Sequence, residues 1–236
     1  MSISPNDHII IYAFGETLIC FRLNSTKQAL VTHTKYASIN GLAGNITQPS
    51  SSCSFISSTS KFTLLPGNLF NALDKQLILD KVCHVGTSDH LFYNSVSLKK
   101  QIDTAFYLPK ETVEKVLSFW PMATFSHHSS LVFDRLKSGL HVNLANKQME
   151  IAYITDETVE FYNVFDINNK EESLYYLSAA LEKNKLPLKH TEINLIGDVD
   201  VINSITSFWK KYIPAENIKT TQVNTIDTSI DHLTIP

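Results

Sequence analysis

The sequence predicts a mixed α/β protein of two lobes in which one order of elements, β-β-β-α-β-α-β, is used twice. Three observations carry this reading. Residues 139–165, GLHVNLANKQMEIAYITDETVEFYNVF, contain three short runs in which apolar residues alternate or cluster between turn formers. They read as strands at His141–Leu144, Met149–Thr155 and Val159–Phe165. Residues 7–35, DHIIIYAFGETLICFRLNSTKQALVTHTK, repeat that meander, with strands at about 7–13, 17–23 and 28–34 and with Gly15 and Asn24-Ser25-Thr26-Lys27 in the turns. After each meander come helix-period segments separated by short buried strands.

In chain order, the segment Ser38–Ser60 contains Gly41, Gly44, Pro49 and a serine cluster at Ser50–Ser52. That composition predicts a long surface connection with strand potential only at its end. Lys61–Leu65 reads as a short strand. Pro66 is expected to open a helix with Leu69, Phe70 and Leu73 on its apolar face. Strands are predicted near 81–85, 91–96 and 103–107. Val113, Val116, Leu117 and Trp120 recur at helical spacing after Pro109, which predicts a helix over 110–119 with that side buried. Met122–Phe125 reads as a strand. Leu131, Val132, Phe133 and Leu136 read as a further helix closed by Gly139.

Beyond the second meander, Asn169 can cap a helix whose Glu172 points back at the cap, with Leu174, Leu177 and Leu181 inward. Ile193–Ile196 reads as a buried strand. Asp198 or Asp200 caps the next helix, which turns Val201, Ile205, Phe208, Trp209 and Tyr212 inward and ends before Pro214; Ile218–Val223 is the last strand. Tyr175 and Tyr176, adjacent on a helix, must point partly apart, so one of them is expected to be exposed and available to a partner. The expected organisation is an N-terminal lobe at 1–138, with an insertion at about 36–100, and a C-terminal lobe at 139–236.

Composition narrows the function classes. The 236 residues are 43% hydrophobic and 18% charged, with a net charge of -3. This is an ordinary globular composition without the basic footprint of a nucleic-acid binder. No run approaches the roughly 20 apolar residues of a membrane span, and no basic region precedes the short apolar run Ile9–Ala13. Cys20, Cys53 and Cys83 are odd in number and scattered, which fits a reducing compartment. A cytoplasmic protein is expected.

The stretch Phe125–Phe165 resembles the connecting helix and second phosphate loop of the superfamily of sugar kinases, Hsp70 and actin. The whole chain resembles a bacterial family of actin-like ATPase fold with no established activity. That second resemblance rests on FTLLPGNLFNAL at Phe62–Leu73, EFYNVFDINNKEESLYYLSAALEK at Glu160–Lys183 and INLIGD at Ile193–Asp198. It implies a duplicated ribonuclease H-like, actin-like ATPase fold in which each lobe holds a mixed sheet with flanking helices.

It also implies three nucleotide motifs, and all three are altered in this chain. The first loop of the superfamily is D-x-G-T, in which the Asp orients a magnesium-bound water; Ala13-Phe14-Gly15-Glu16-Thr17 keeps the Gly and lacks the Asp. In the second loop, D-L-G-G-G-T, Asn143 stands for the Asp, and Ala145 and Asn146 stand for glycines. The adenosine-contacting strand ends in G-G, whereas Leu195-Ile196-Gly197-Asp198 keeps one. Lost charge-assisted contacts at roughly 1.5–3 kcal/mol each, with about 1–2 kcal/mol for each non-Gly residue forced left-handed, remove on the order of 5 kcal/mol. A micromolar site would become roughly millimolar.

The resemblance thus implies a vestigial nucleotide cleft formed by Gly15, Asn143, Lys147 and Gly197, with Lys147 the one basic group suited to a phosphate. No catalytic residue, metal ligand or cofactor is expected. His127-His128, His141, Cys83 and His90 lack metal-ligand spacing, and Ser129 and Ser130 lack a nucleophile elbow and read as helix-start residues. The expected function is non-catalytic interaction or scaffolding with an unidentified protein partner, without membrane or nucleic acid and with nucleotide binding weak or absent. The alternatives are a divergent nucleotide-binding ATPase or kinase and, third, an assembly-platform subunit similar to actin-like pilus and secretion proteins.

Overall fold

A computed structural model of the chain describes residues 8–14, 17–23, 29–36, 38–44, 52–67, 75–83, 89–97, 102–133, 136–145, 147–156, 158–197 and 199–222. The chain divides into two compact units, residues 1–134 with 229–236 and residues 135–228.

The first unit begins with the meander β1 (His8–Phe14), β2 (Thr17–Leu23) and β3 (Ala29–Tyr36), followed by α1 (Ile39–Gly44) and β4 (Ser52–Ser57). Four elements then interrupt the pattern: β5 (Phe62–Pro66), α2 (Lys75–Val82), β6 (Asp89–Ser97) and β7 (Ile102–Pro109). The unit continues with α3 (Lys110–Phe119), β8 (Thr124–His127) and α4 (Ser129–Val132). Its main sheet runs β3-β2-β1-β4-β8, antiparallel through the meander and parallel from β1 to β8. The interrupting strands form their own antiparallel sheet, β5-β7-β6. In β1, Ile9, Ile10 and Ile11 are all buried although neighbours point to opposite faces, so the strand is covered on both.

The second unit repeats the order without interruption: β9 (Gly139–Ala145), β10 (Gln148–Thr155), β11 (Thr158–Asp166), α5 (Lys170–Lys183), β12 (Ile193–Gly197), α6 (Val199–Trp209), a 3-10 turn at Ala215–Asn217 and β13 (Ile218–Gln222). Its sheet, β11-β10-β9-β12-β13, has the same strand order, and β12 is parallel to both its neighbours. One face carries the core, with Leu140, Val142, Leu144, Met149 and Ile151 packed against Leu177 and Leu181 of α5 and Ile202, Ile205 and Trp209 of α6. The duplicated β-β-β-α-β-α-β order and the mixed sheets are therefore present.

Several local expectations are corrected. The 38–60 segment is more than a surface connection: it holds α1 and, at the end where strand potential was expected, the interior strand β4. Serines of β4 are held by partners, the buried Ser54 Oγ lying 3.1 Å from both Thr124 Oγ1 and His8 Nε2. The elements that interrupt the repeated order are β5, α2, β6 and β7. Residues 81 and 82 end α2 instead of starting a strand. Pro66 closes β5, an edge strand where a missing N–H is tolerated, and the helix expected over Leu69–Leu73 lies outside the described residues. The helix expected to end at Gly139 is the single turn α4, and Gly139 (φ 138°) opens β9. Tyr212 was expected inward; α6 stops at Trp209, which leaves Tyr212 in the following turn at 54% exposure, while Ile202 takes an inward place.

The two sheets of the first unit are joined by polar groups. β8 is an edge strand, and its outer backbone groups are met by one side chain from β6: Asn94 Nδ2 donates to Phe125 O (3.1 Å) and Asn94 Oδ1 accepts from His127 N (2.8 Å). An amide thus takes the place of a neighbouring strand. His127 is fully buried, its Nε2 donating to Thr59 O at 3.1 Å and its Nδ1 2.8 Å from Ser129 Oγ, with Phe62 stacked on the ring at 4.5 Å. Because Ser129 N also donates to Nδ1, that nitrogen carries the lone pair and the ring is neutral.

Replacing Asn94 by Ala leaves a β8 carbonyl and amide without these partners. The expected loss is about 2–3 kcal/mol of unfolding free energy, from roughly 1–3 kcal/mol per unsatisfied group, with Asn94→Asp intermediate. Urea titration of the three chains measures it, and a loss under about 0.5 kcal/mol would show that Asn94 does not close the edge.

Candidate functional site

The parallel strands of the second unit end together, and three of the four residues expected in the cleft lie at that end. Asn143 pairs with Ile196, Leu144 with Gly197, and Lys147 sits in the tight β9–β10 turn that follows. Gly15, in the β1–β2 turn beyond the Phe14–Thr17 pair, lies outside the described residues, as do Asn146 and Asp198.

Local geometry accounts for each of the three. Lys147 holds the left-handed backbone conformation of the turn (φ 60°), its side chain is exposed, and its carbonyl accepts from Ile167 N at 2.9 Å. Gly197 has φ 149°, and a Cβ built on it would lie 2.0 Å from Leu144 O. Asn143 does not face an open space: its Nδ2 donates to Glu150 Oε2 across the hairpin at 3.1 Å.

Glu150 is the residue that sequence reading missed. It is 4% exposed in the middle of β10, and its other oxygen accepts from the Tyr162 hydroxyl. One turn along the same face, Gln148 Nε2 donates to Asp166 Oδ1 at 3.1 Å. The signal was the alternation of β10 itself, with Met149, Ile151 and Tyr153 on the helix-covered face and a carboxylate opposite them among buried residues. A buried carboxylate needs donors, and this one has two in the chain.

The start of α5 at this end is capped by its own side chains. Asn169 Oδ1 accepts from Glu172 N at 2.7 Å, and the Glu172 carboxylate accepts from Asn168 N at 2.8 Å, as the predicted capping box requires. The first turns carry Glu171 and Glu172 on α5 and Asp200 on α6.

Away from this end, burial pushes the Cys20 and Cys53 thiols up to about 12, which leaves both protonated and unreactive near neutral pH. His141 donates from Nε2 to Lys137 O at 2.8 Å, and burial holds it below its usual value despite that bond. No helix of the described residues is long and apolar enough to cross a membrane.

Twice-used sheets with parallel inner strands entered through helices, and loops gathered at their common end, define an actin-like ATPase fold. The chain is similar to a Bacteroides thetaiotaomicron protein with actin-like ATPase fold and unknown function: TM-score 0.78 at 16% identity, over 98% of this chain and 97% of that one. The cytoplasmic domain of EpsL, an inner membrane component of the type II secretion system of Vibrio cholerae, aligns over 96% of this chain and 93% of its own, at TM-score 0.51 and 9% identity. The PilM-PilN type IV pilus biogenesis complex aligns over 98% and 94%, at TM-score 0.54 and 8% identity. No curated protein matches the chain. Residues 46–215 match the family described as Protein of unknown function (DUF3822), and the chain belongs to that family.

Two substitutions check this geometry. Gly197→Ala drives a Cβ into the Leu144 backbone at a left-handed φ, and the expected cost is about 3 kcal/mol, at the upper end of overpacking; an unchanged melting temperature would disprove the close approach. Asn143→Asp sets a carboxylate against Glu150 and raises the folded-state pKa of the pair above its unfolded value. The penalty, on the order of 2 kcal/mol, is then present at neutral pH and disappears as pH falls below about 4. Denaturation of wild type and variant at pH 7 and pH 4 reads the difference.

Proposed function

We propose that the protein is a non-catalytic member of the actin-like fold, working in the cytoplasm by binding another protein rather than by turning over a nucleotide. The observation that carries this reading is the charge at the common end of β9 and β12. The described residues there include the carboxylates of Glu150, Asp166, Glu171, Glu172 and Asp200 against Lys147 and Lys170. A triphosphate brings several negative charges and needs amide donors, cations or glycine backbone to meet them. At this end the start of α5 is already met by Asn169 and Glu172, the first turn of α6 carries Asp200, and the Asn143 amide is committed to Glu150. Phosphate would meet repulsion where a nucleotide-binding relative offers donors.

The second reading, a subunit of a larger assembly, is favoured by the likeness to the EpsL domain and the PilM-PilN complex, each described by its place in a multi-protein system. It specialises the first reading and is compatible with the same charge pattern.

Calorimetry with magnesium-ATP tests the proposal. No binding tighter than about 100 μM, some 5.5 kcal/mol, is expected; a tighter site, with hydrolysis above background, would move a divergent ATPase to first place.

A further inference from the structure

We infer that the outer edge of β13, bordered by the lysines at the end of α6, is a docking edge for an extended, acidic segment of a partner protein that adds there as a further strand. This names the partner chemistry for the interaction role proposed above and rests on that reading.

The edge is open at residues that are themselves exposed. β13 pairs with β12 alone. Its first residue, Ile218, is 9% exposed, packs into the core and gives its amide to Ala215 O. Beyond it the cover ends: Lys219 and Thr220 are both exposed, and because neighbours in a strand point to opposite faces, neither face of β13 is closed there. Apart from the ladder to β12, neither of these two residues makes a hydrogen bond, ion pair or ring contact among the described residues. One of them turns its amide and carbonyl to β12 and the other turns both outward, as alternate residues of an edge strand do. Outward main-chain groups of this kind give strand addition its affinity, and side chains on alternate faces give it selectivity.

Positive charge borders the edge on both faces. Lys219 stands on the face away from the helices, since Ile218 before it belongs to the helix-covered core. Lys210 and Lys211 follow the last turn of α6 on the side where the helices pack; Lys210 N donates to Thr206 O at 3.0 Å, and Lys211 Nζ sits 5.6 Å from the centre of the Phe208 ring. Tyr212 comes next in the same turn, 54% exposed, with its ring 5.5 Å from that of Phe208, and a tyrosine so placed suits an interface. Lys189 is held at this end by its carbonyl, which accepts from Asn217 Nδ2 at 2.8 Å. None of these lysines is in an ion pair among the described residues, and the exposed carboxylates of the same turns are Glu192 and Glu216.

Charge selects the partner. Lysine on an edge guards it against apolar strands, which would bury the ammonium group. A second copy of this chain would set its own Lys210, Lys211 and Lys219 against these, which disfavours self-pairing. A strand with carboxylates on both of its faces meets opposite charge on each side of the sheet.

The test uses the full chain and two nine-residue peptides, repeats of Thr-Glu-Glu and of Thr-Lys-Lys, with binding read by fluorescence anisotropy and hydrogen exchange. The acidic peptide is expected to bind, to weaken as salt rises and to slow amide exchange within residues 219–222. The same peptide methylated at every backbone nitrogen keeps its charge but has no main-chain donors, and it is expected not to bind. Lys219→Glu is expected to weaken the acidic peptide at least tenfold and to let the basic peptide bind, an exchange of preference that general damage to the fold does not produce. Failure of the acidic peptide to bind the unaltered chain, equal binding of the basic or the methylated peptide, or protection mapping away from β13 would each overturn the inference. A dimer in light scattering that the acidic peptide dissociates would overturn it in favour of self-pairing. None of these outcomes depends on magnesium-ATP binding, so a failure here is separable from a failure of the non-catalytic reading.

Discussion

The close approach of Gly197 to the backbone of Leu144 sets the geometry at the end of the second sheet. With a Cβ excluded by a distance of 2.0 Å, β12 can run parallel to β9 to its last residue, and the loop leading into α6 must leave from there. The hairpin that follows β9, its two-residue turn and the Asn143–Glu150 pair are all placed by that register. In the superfamily pattern this glycine belongs to the nucleotide site. In this protein packing alone demands it, so its presence is no argument that a nucleotide binds.

The same economy recurs where the sheets bury polar groups. A chain poor in charge and rich in Ser, Thr and Asn cannot close its interior with apolar contacts alone, and each buried hydroxyl or amide left unmet costs about 1–3 kcal/mol. The solution is lateral. His8, Ser52, Ser54 and Thr124 bond across β1, β4 and β8 with distances of 2.7 to 3.1 Å, Asn94 completes the edge of β8, and Trp209 Nε1 donates to Ser173 Oγ at 3.0 Å between α6 and α5. Hydrogen bonds between neighbouring elements thus fix register as well as satisfying the groups that make them.

This explains which parts of the fold were legible. Both meanders, the Asn169 cap and the helix over 110–119 follow from local rules of period and capping, and each was read close to its observed bounds. β4 was legible only as strand potential at the end of the 38–60 segment, because Ser-Cys-Ser-Phe-Ile-Ser becomes an interior strand only with Thr124 and His8 alongside, a non-local fact. The Lys81-Val82 end of α2 was misread for a related reason, since a run as short as Val82-Cys83 does not decide a period. At the candidate site, Asn143, Lys147 and Gly197 could be chosen only through a family pattern. Glu150, which bonds Asn143, was passed over because a glutamate within a strand reads as solvent-facing until both faces of that strand are known to be buried. Tyr175 was legible in kind: two adjacent tyrosines on one helix cannot both turn inward, and Tyr176 is the one that packs, on Phe165.

Charge links the fold to the functional reading. The N-terminal ends of α5 and α6 carry partial positive charge and point to the end of the sheet where the loops gather, and two occupants can meet that charge: a bound anion or acidic side chains of the chain itself. An anion leaves the helix starts dependent on a ligand; acidic side chains satisfy them permanently. Glu171, Glu172 and Asp200 are the second solution, and with the Asn169 cap they stabilise α5 and α6 in the absence of any ligand. A helix start met by its own carboxylates gains less from a bound phosphate than a bare one does.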